Sequence, residues 1–135
     1  MCSSEFNLQG TIMNYLPSKE LLTAIRNDKY IVIDIDTSDI ADSKIGYLLD
    51  NNQWYFINIY ELAYKCKVWA TENKYTILTE DMHPNGYFAY VLSNKESIEN
   101  YGYLCEHKVI KDIPHNKTEP EAIFAACQWI LDNRN

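Results

Sequence analysis

The apolar positions of this chain alternate between a helical spacing of about 3.6 residues and a strand spacing of two, twice over, before a helical pattern closes it. Leu21, Leu22 and Ile25 share one helical face behind Ser18, a good N-cap, so a short helix is expected over 18–27. Asn27-Asp28 should end it. YIVIDID (30–36) reads as a strand with Ile31, Ile33 and Ile35 on the dry face and Tyr30, Val32, Asp34 and Asp36 on the wetter one. DTSDIADS has loop composition. KIGYLLD and QWYFI then flank Asn51-Asn52, and asparagine tolerates positive φ, which predicts a hairpin.

A second helix is expected over 57–74. Ile59, Leu62, Ala63, Cys66, Trp69 and Ala70 form its apolar stripe, with Tyr60 and Tyr64 on the far side. Asn58 and Glu61 are placed as a capping box, Ile57 and Leu62 as a hydrophobic staple, and Glu61 and Lys65 as an i,i+4 pair. Strands are expected at 74–80, 86–93 and 103–113, the first two joined by a turn at Pro84-Asn85-Gly86. The last segment, TEPEAIFAACQWILD (118–132), has Thr118 as N-cap, Glu121 at the third helical position and Pro120 in the tolerant first turn. Projected as a helix, it shows a narrow polar stripe of Glu121, Ala125, Gln128 and Asp132. Its apolar arc is roughly 220°, against the ~100° that packing on one sheet face requires. Phe124 and Leu131 flank that arc, to be covered by the N-terminal extension or by a second chain. With Tyr60, Tyr64 and Glu119, they make the candidate interface.

These elements predict an α+β fold: an antiparallel sheet packed with helices, its α-β-β-β-α core at about 54–134, preceded by a short helix and strands. Residues 1–12 lack periodicity and read as a flexible leader or a cloning remnant, leaving 13–135 as one domain, with 13–53 its N-terminal helix and strand extension. NDKYIVIDID (27–36) echoes ENKYTILTED (72–81), and IGYLL (45–49) echoes NGYFA (85–89). The offsets differ, about 45 and then 40 residues, so coincidence is preferred to duplication.

Charge narrows the function. The net charge of −7 disfavours contact with phosphate backbones and suits solubility or a basic protein partner. Eleven tyrosines and three tryptophans favour protein interfaces over base stacking at this charge, although core packing accounts for most of them. Cys2, Cys66, Cys105 and Cys127 include no CxxC pair, which points to free thiols, a reducing cytoplasmic compartment and no zinc module. No apolar run is long enough for a membrane span.

The chemistry-bearing constellations are weak. Asp34, Asp36, Asp39 and Asp42 include a D-x-D pair able to hold a divalent cation. The calcium-loop pattern fails, however, with Asp39 at its glycine position and Ile45 at its closing glutamate. A solvated strand face is the simpler account. Cys105 and His107 share a strand face, but no glycine-rich turn or nucleophile elbow adjoins them. His83 and His115 sit beside prolines in expected exposed turns. Neither G-x-x-x-x-G-K nor G-x-G-x-x-G occurs. No catalytic, cofactor-binding or metal-ligating residue is therefore assigned, and no cofactor is expected.

The helix, three strands and helix from residue 53 onward resemble the layout of double-stranded-RNA-binding domains, down to Ala122, Ala125 and Ala126. Those domains hold phosphates with lysines at the start of the last helix. Here only Lys117 is basic, and Glu119 and Glu121 oppose that chemistry. INIYELAYKCKVWATENKY, a Gly-Tyr-Phe strand and the Thr118, Pro120, Glu121, Ala122, Ile123, Ala126 pattern resemble small phage and prophage proteins with a phage ABA sandwich domain, over residues 54–134. That resemblance implies a small α/β sandwich carried by mobile elements, and it carries over no catalytic residue. The expectation is a non-catalytic accessory protein of phage type that binds a protein partner or itself in the cytoplasm. An acidic, anti-CRISPR-like inhibitor of a host defence protein is one form of it. An RNA-binding module and a small enzyme are the alternatives.

Overall fold

A computed structural model describes residues 16–93 and 108–134. The first helix, α1 (Lys19–Arg26), starts where Ser18 Oγ accepts the Leu21 N–H at 3.0 Å and stops at Asn27, whose φ of 54° is left-handed. Asparagine adopts that conformation at low cost, and its N–H caps the Thr23 carbonyl. β1 (Val32–Asp36), β2 (Lys44–Leu49) and β3 (Trp54–Asn58) follow as an antiparallel sheet in that order, with one 3-10 turn at Ile40–Asp42. The expected hairpin joins β2 to β3, and Asn52 takes the positive φ, 69°.

The face expected for β1 is wrong at its start. Val32 is buried, and Ile31 and Ile33 are exposed. The cause is a β-bulge: Val32 pairs with Leu49 and Asp34 with Leu48, so Ile33 is an extra residue. One extra residue reverses the side-chain parity along a strand. Val32 before the bulge and Ile35 after it therefore both face the core. The Val32 N–H also donates to Thr23 Oγ1 at 3.0 Å, fixing β1 against α1.

α2 (Ile59–Glu72) buries the expected stripe of Ile59, Leu62, Ala63, Cys66, Trp69 and Ala70. At roughly 1.5–3 kcal/mol for each large side chain, this burial outweighs capping. Asn58 Oδ1 accepts the N–H groups of Tyr60 and Glu61 at 2.8 and 3.3 Å. Glu61 does not complete the reciprocal half of the box, and it stays beyond ion-pair range of Lys65; Arg26–Asp28 is the one ion pair among the described residues. The second antiparallel sheet comprises β4 (Tyr75–Asp81), β5 (Tyr87–Ser93) and β6 (Lys108–Asn116), with β5 central. The expected third strand began at 103. Residues 103–107 lie outside the described residues, and β6 continues to 116, past the expected end at 113. Its register shifts twice against β5.

α3 (Glu119–Asn133) closes the chain. Thr118 caps it, accepting the Glu121 N–H at 3.3 Å, and Glu121 Oε1 accepts the Lys117 N–H at 2.6 Å. The polar stripe expected on α3 holds only in its second half, where Gln128 is half-buried and Asp132 exposed; Glu121 and Ala125 are buried, and Glu121 Oε2 has no hydrogen-bond partner. α3 lies across all three strands of the second sheet and against α1 and α2, while α1 lies on β1. Ser18 donates its hydroxyl to Gln128 Oε1 at 2.7 Å, tying the start of α1 to α3. One apolar cluster runs through both sheets and all three helices.

The described elements thus form two consecutive units of one helix and three antiparallel strands, followed by α3. The echoed segments occupy corresponding places in these units. Residues 27–36 and 72–81 each run from a helix end into a first strand, and 45–49 and 85–89 each fall at the central strand. In both units a residue of positive φ follows the helix, Asn27 directly after α1 and Lys74 two residues after α2.

Two expectations follow for stability. Gly86 has φ 88°, and a Cβ there would lie 2.5 Å from the Asn116 carbonyl oxygen; a Cβ at Gly46 would meet only the outer edge of the Phe56 ring, at the same distance. Gly86→Ala should therefore cost about 1–3 kcal/mol in urea unfolding, and Gly46→Ala clearly less, because a ring can move and a β6 carbonyl cannot. Glu121→Ala should cost about 1–2 kcal/mol by removing the acceptor of the Lys117 N–H in front of the helix. Glu121→Gln keeps an acceptor for that N–H, so thermal melting should place it close to the wild type and above Glu121→Ala.

Candidate protein-binding surface

β3 runs directly into α2, and both leave large apolar side chains in water. On β3, Trp54 and Phe56 project from the outer face of the first sheet and stack on each other, with ring centroids 6.2 Å apart. Tyr55 points the other way and stacks on Tyr47, under the Arg26 guanidinium. On α2, Tyr60, Tyr64 and Val68 are exposed at i, i+4 and i+8, which lines them up on one helical face.

Strand register places further groups beside the Trp54–Phe56 pair. Trp54 is opposite Leu48, which is opposite Asp34; Phe56 is opposite Gly46, which is opposite Asp36. These two rows share the outer face. The ring of Phe56 lies over Gly46, where there is no side chain to hold it off. The backbone N–H of Ser38, and then its hydroxyl, hold the Asp36 carboxyl below the ordinary carboxylate range. Asp34 Oδ1 accepts the Ile35 N–H at 2.9 Å. Both carboxyl groups are thus held in place, and neither meets a cation within the described residues.

No family model, curated protein or solved structure matches this chain.

The residues expected to form an interface separate into four groups. Tyr60 and Tyr64 are exposed, at 59% and 68%, and line the outer face of α2. Glu119 is exposed, but its carboxylate accepts the Thr79 hydroxyl at 2.5 Å, pinning the start of α3 to β4. Phe124 is fully buried and offers nothing to a partner, because the helices and the second sheet enclose it. Leu131 is half-buried in a groove of about 430 Å³ whose other walls include α1 residues Lys19, Glu20, Thr23 and Ala24. The N-terminal helix therefore covers much of the arc for which a second chain was considered. Trp54 and Phe56 were missed because WYFI has no polar residue to mark an outer face. Such a run reads as a strand buried on both sides.

The remaining chemistry is sparse. Asp34 and Asp36 lie on β1, whereas Asp39 and Asp42 lie in and beside the 3-10 turn. Among the described residues, no three His, Cys, Asp or Glu side chains converge as a metal site requires. Cys105 and His107 lie outside the described residues. His83 is exposed in its turn; His115 is exposed at the end of β6, not in a turn, with φ 63° and its ring edge-on to Phe88. A cleft of about 260 Å³ between α1 and α2 includes Arg26 and Lys65, but Arg26 is already held by Asp28 at 2.6 Å and by the Tyr47 hydroxyl at 3.1 Å. It is smaller than typical ligand pockets. No helix of the described residues is long and apolar enough to cross a membrane.

Cys66 and Cys127 are free and buried where α2 meets α3, and the Cys127 thiol donates to the Cys66 carbonyl at 3.3 Å. Interaction with Cys66 and burial both push the Cys127 thiol up, away from the thiolate form that reacts. In a Cys2→Ser/Cys105→Ser background, a thiol reagent at pH 8 should find no fast-reacting cysteine in the native protein and two after denaturation.

Proposed function

We propose that this chain is a non-catalytic protein-binding module, an accessory protein of phage type. One observation carries the reading. Of the eleven large apolar side chains exposed among the described residues, six fall within residues 54–68: Trp54 and Phe56 on the outer sheet face, Tyr60, Tyr64 and Val68 along one face of α2, and Tyr55 on the other side of β3. Scattered exposed hydrophobics are ordinary on a monomer, whereas concentration on one strand–helix segment marks a contact surface. Aromatic residues dominate the set, as they do at the energetic centres of interfaces. The net charge of −7 supports a basic partner. A basic, nucleic-acid-handling host defence protein is the specific form proposed, with this chain as its acidic inhibitor.

Nothing on the described surface favours the RNA reading. The start of α3 presents Glu119 to solvent and buries Glu121. Duplex RNA should therefore give no gel shift even at about 50 mM salt, where phosphate contacts are strongest.

The test is capture from a host lysate by immobilised chain at low and moderate salt, with Tyr60→Ala/Tyr64→Ala and Trp54→Ala/Phe56→Ala variants in parallel. A saturable partner held by the wild type and lost by at least one variant is expected. Absence of any saturable partner at either salt removes the proposal.

A further inference from the structure

The outer face of the first sheet presents an aromatic pair beside an acidic pair in register. Each row runs carboxylate, small or aliphatic middle residue, aromatic ring: Asp36, Gly46, Phe56, and Asp34, Leu48, Trp54. Strands lie about 4.8 Å apart, so each carboxylate stands about 10 Å from its ring's backbone, and the Phe56 ring closes part of that gap by lying over Gly46. A flat cation above such a row can stack on the ring and hydrogen-bond to the carboxylate together. Guanidinium does both, through its planar face and its forked donors. Ammonium lacks the planar face and the fork. The two rows are two residues apart along the strands, about 6.6 Å, which is the spacing of residues i and i+2 in an extended chain.

We propose that this face takes an extended arginine-x-arginine segment of a protein partner, one arginine over each row. The proposal rests on the protein-binding reading above and assigns it a surface and a partner chemistry. Charge complementarity selects the occupant. The two aspartates meet no cation within the described residues, and the chain as a whole is acidic. A purely apolar partner would leave both carboxylates desolvated and unpaired, which is costly. A second copy of the chain could instead pair along the uncharged edge of β3, and the test separates that case.

The experiment is a titration of isotope-labelled full-length protein, followed by amide and tryptophan indole NMR shifts, with three synthetic peptides. They share an extended, uncharged frame and carry Arg-x-Arg, Lys-x-Lys or Gln-x-Gln. Saturable shifts centred on Asp34, Asp36, Gly46, Trp54 and Phe56 are expected, strongest for arginine and absent for glutamine. Asp34→Asn/Asp36→Asn, and separately Trp54→Ala, should each weaken arginine-peptide binding about fivefold or more, with amide dispersion confirming that the variants are folded. Tyr60→Ala/Tyr64→Ala should leave it unchanged. Equal response to all three peptides, shifts centred on α2, or unchanged affinity in Asp34→Asn/Asp36→Asn overturns the proposal. Concentration-dependent dimerisation through β3 without peptide also overturns it and gives the face to a second copy. A lysate partner lost only from Tyr60→Ala/Tyr64→Ala, with no arginine-peptide binding, sinks this assignment while leaving the protein-binding reading intact.

Discussion

An almost wholly apolar helix must be enclosed on nearly every side, and the rest of the structure follows from that need. α3 buries every residue from Pro120 to Cys127, and Ile130 beyond. One sheet can cover only about a third of a helix surface. The second sheet covers one side, α2 another, and α1 is drawn in to complete the enclosure. α1 has only eight residues and would be marginal alone. Its place is set by Leu21 and Leu22, both buried, and by the Ser18–Gln128 hydrogen bond to α3. The first sheet then gains its inner wall from α1. The far end is held differently: Arg134 stacks over Trp69 and donates to Asn73, joining the ends of α3 and α2.

How much of this was legible depended on the range of the interaction concerned. The α2 stripe, the caps at Ser18, Asn58 and Thr118, and the Asn52 turn are local, and their residue types specify them. The dry face of β1 was misread because a bulge leaves no mark in a run of isoleucine, valine and aspartate; only the pairing with β2 reveals it. Phe124 was misread for the opposite reason. Its helix signals a wide apolar arc, but what covers the arc comes from residues about a hundred positions earlier. The tyrosines of α2 were legible because they fall on the far side of a helix from its apolar stripe. Trp54 and Phe56 were not, because an edge strand and a central strand with the same apolar run differ only in their neighbours.

The repeated order of one helix and three strands gives the sequence echo a physical setting. A helix that must end and turn back into a strand is helped by a residue of positive φ, then an apolar alternation; the first unit places that residue directly after its helix, at Asn27, and the second two residues after, at Lys74. Similar architecture places similar demands on sequence, whatever the origin of the units. The two sheets nonetheless diverge in use. The second carries α3 on its inner face, and the first leaves its outer face for aromatic and acidic groups.

Gly46 has a consequence for how such a surface changes over generations. It is the one position on the outer face where the middle strand contributes no side chain, and the Phe56 ring rests in the vacancy. Growth at position 46 would tilt that ring and reshape the face without displacing Ile45 or Tyr47, which point to the opposite side. The strand therefore separates two selective pressures by parity: odd positions answer to the core, even positions to whatever lies outside. A lineage under pressure to follow a changing opponent can vary the second set while leaving the first at rest.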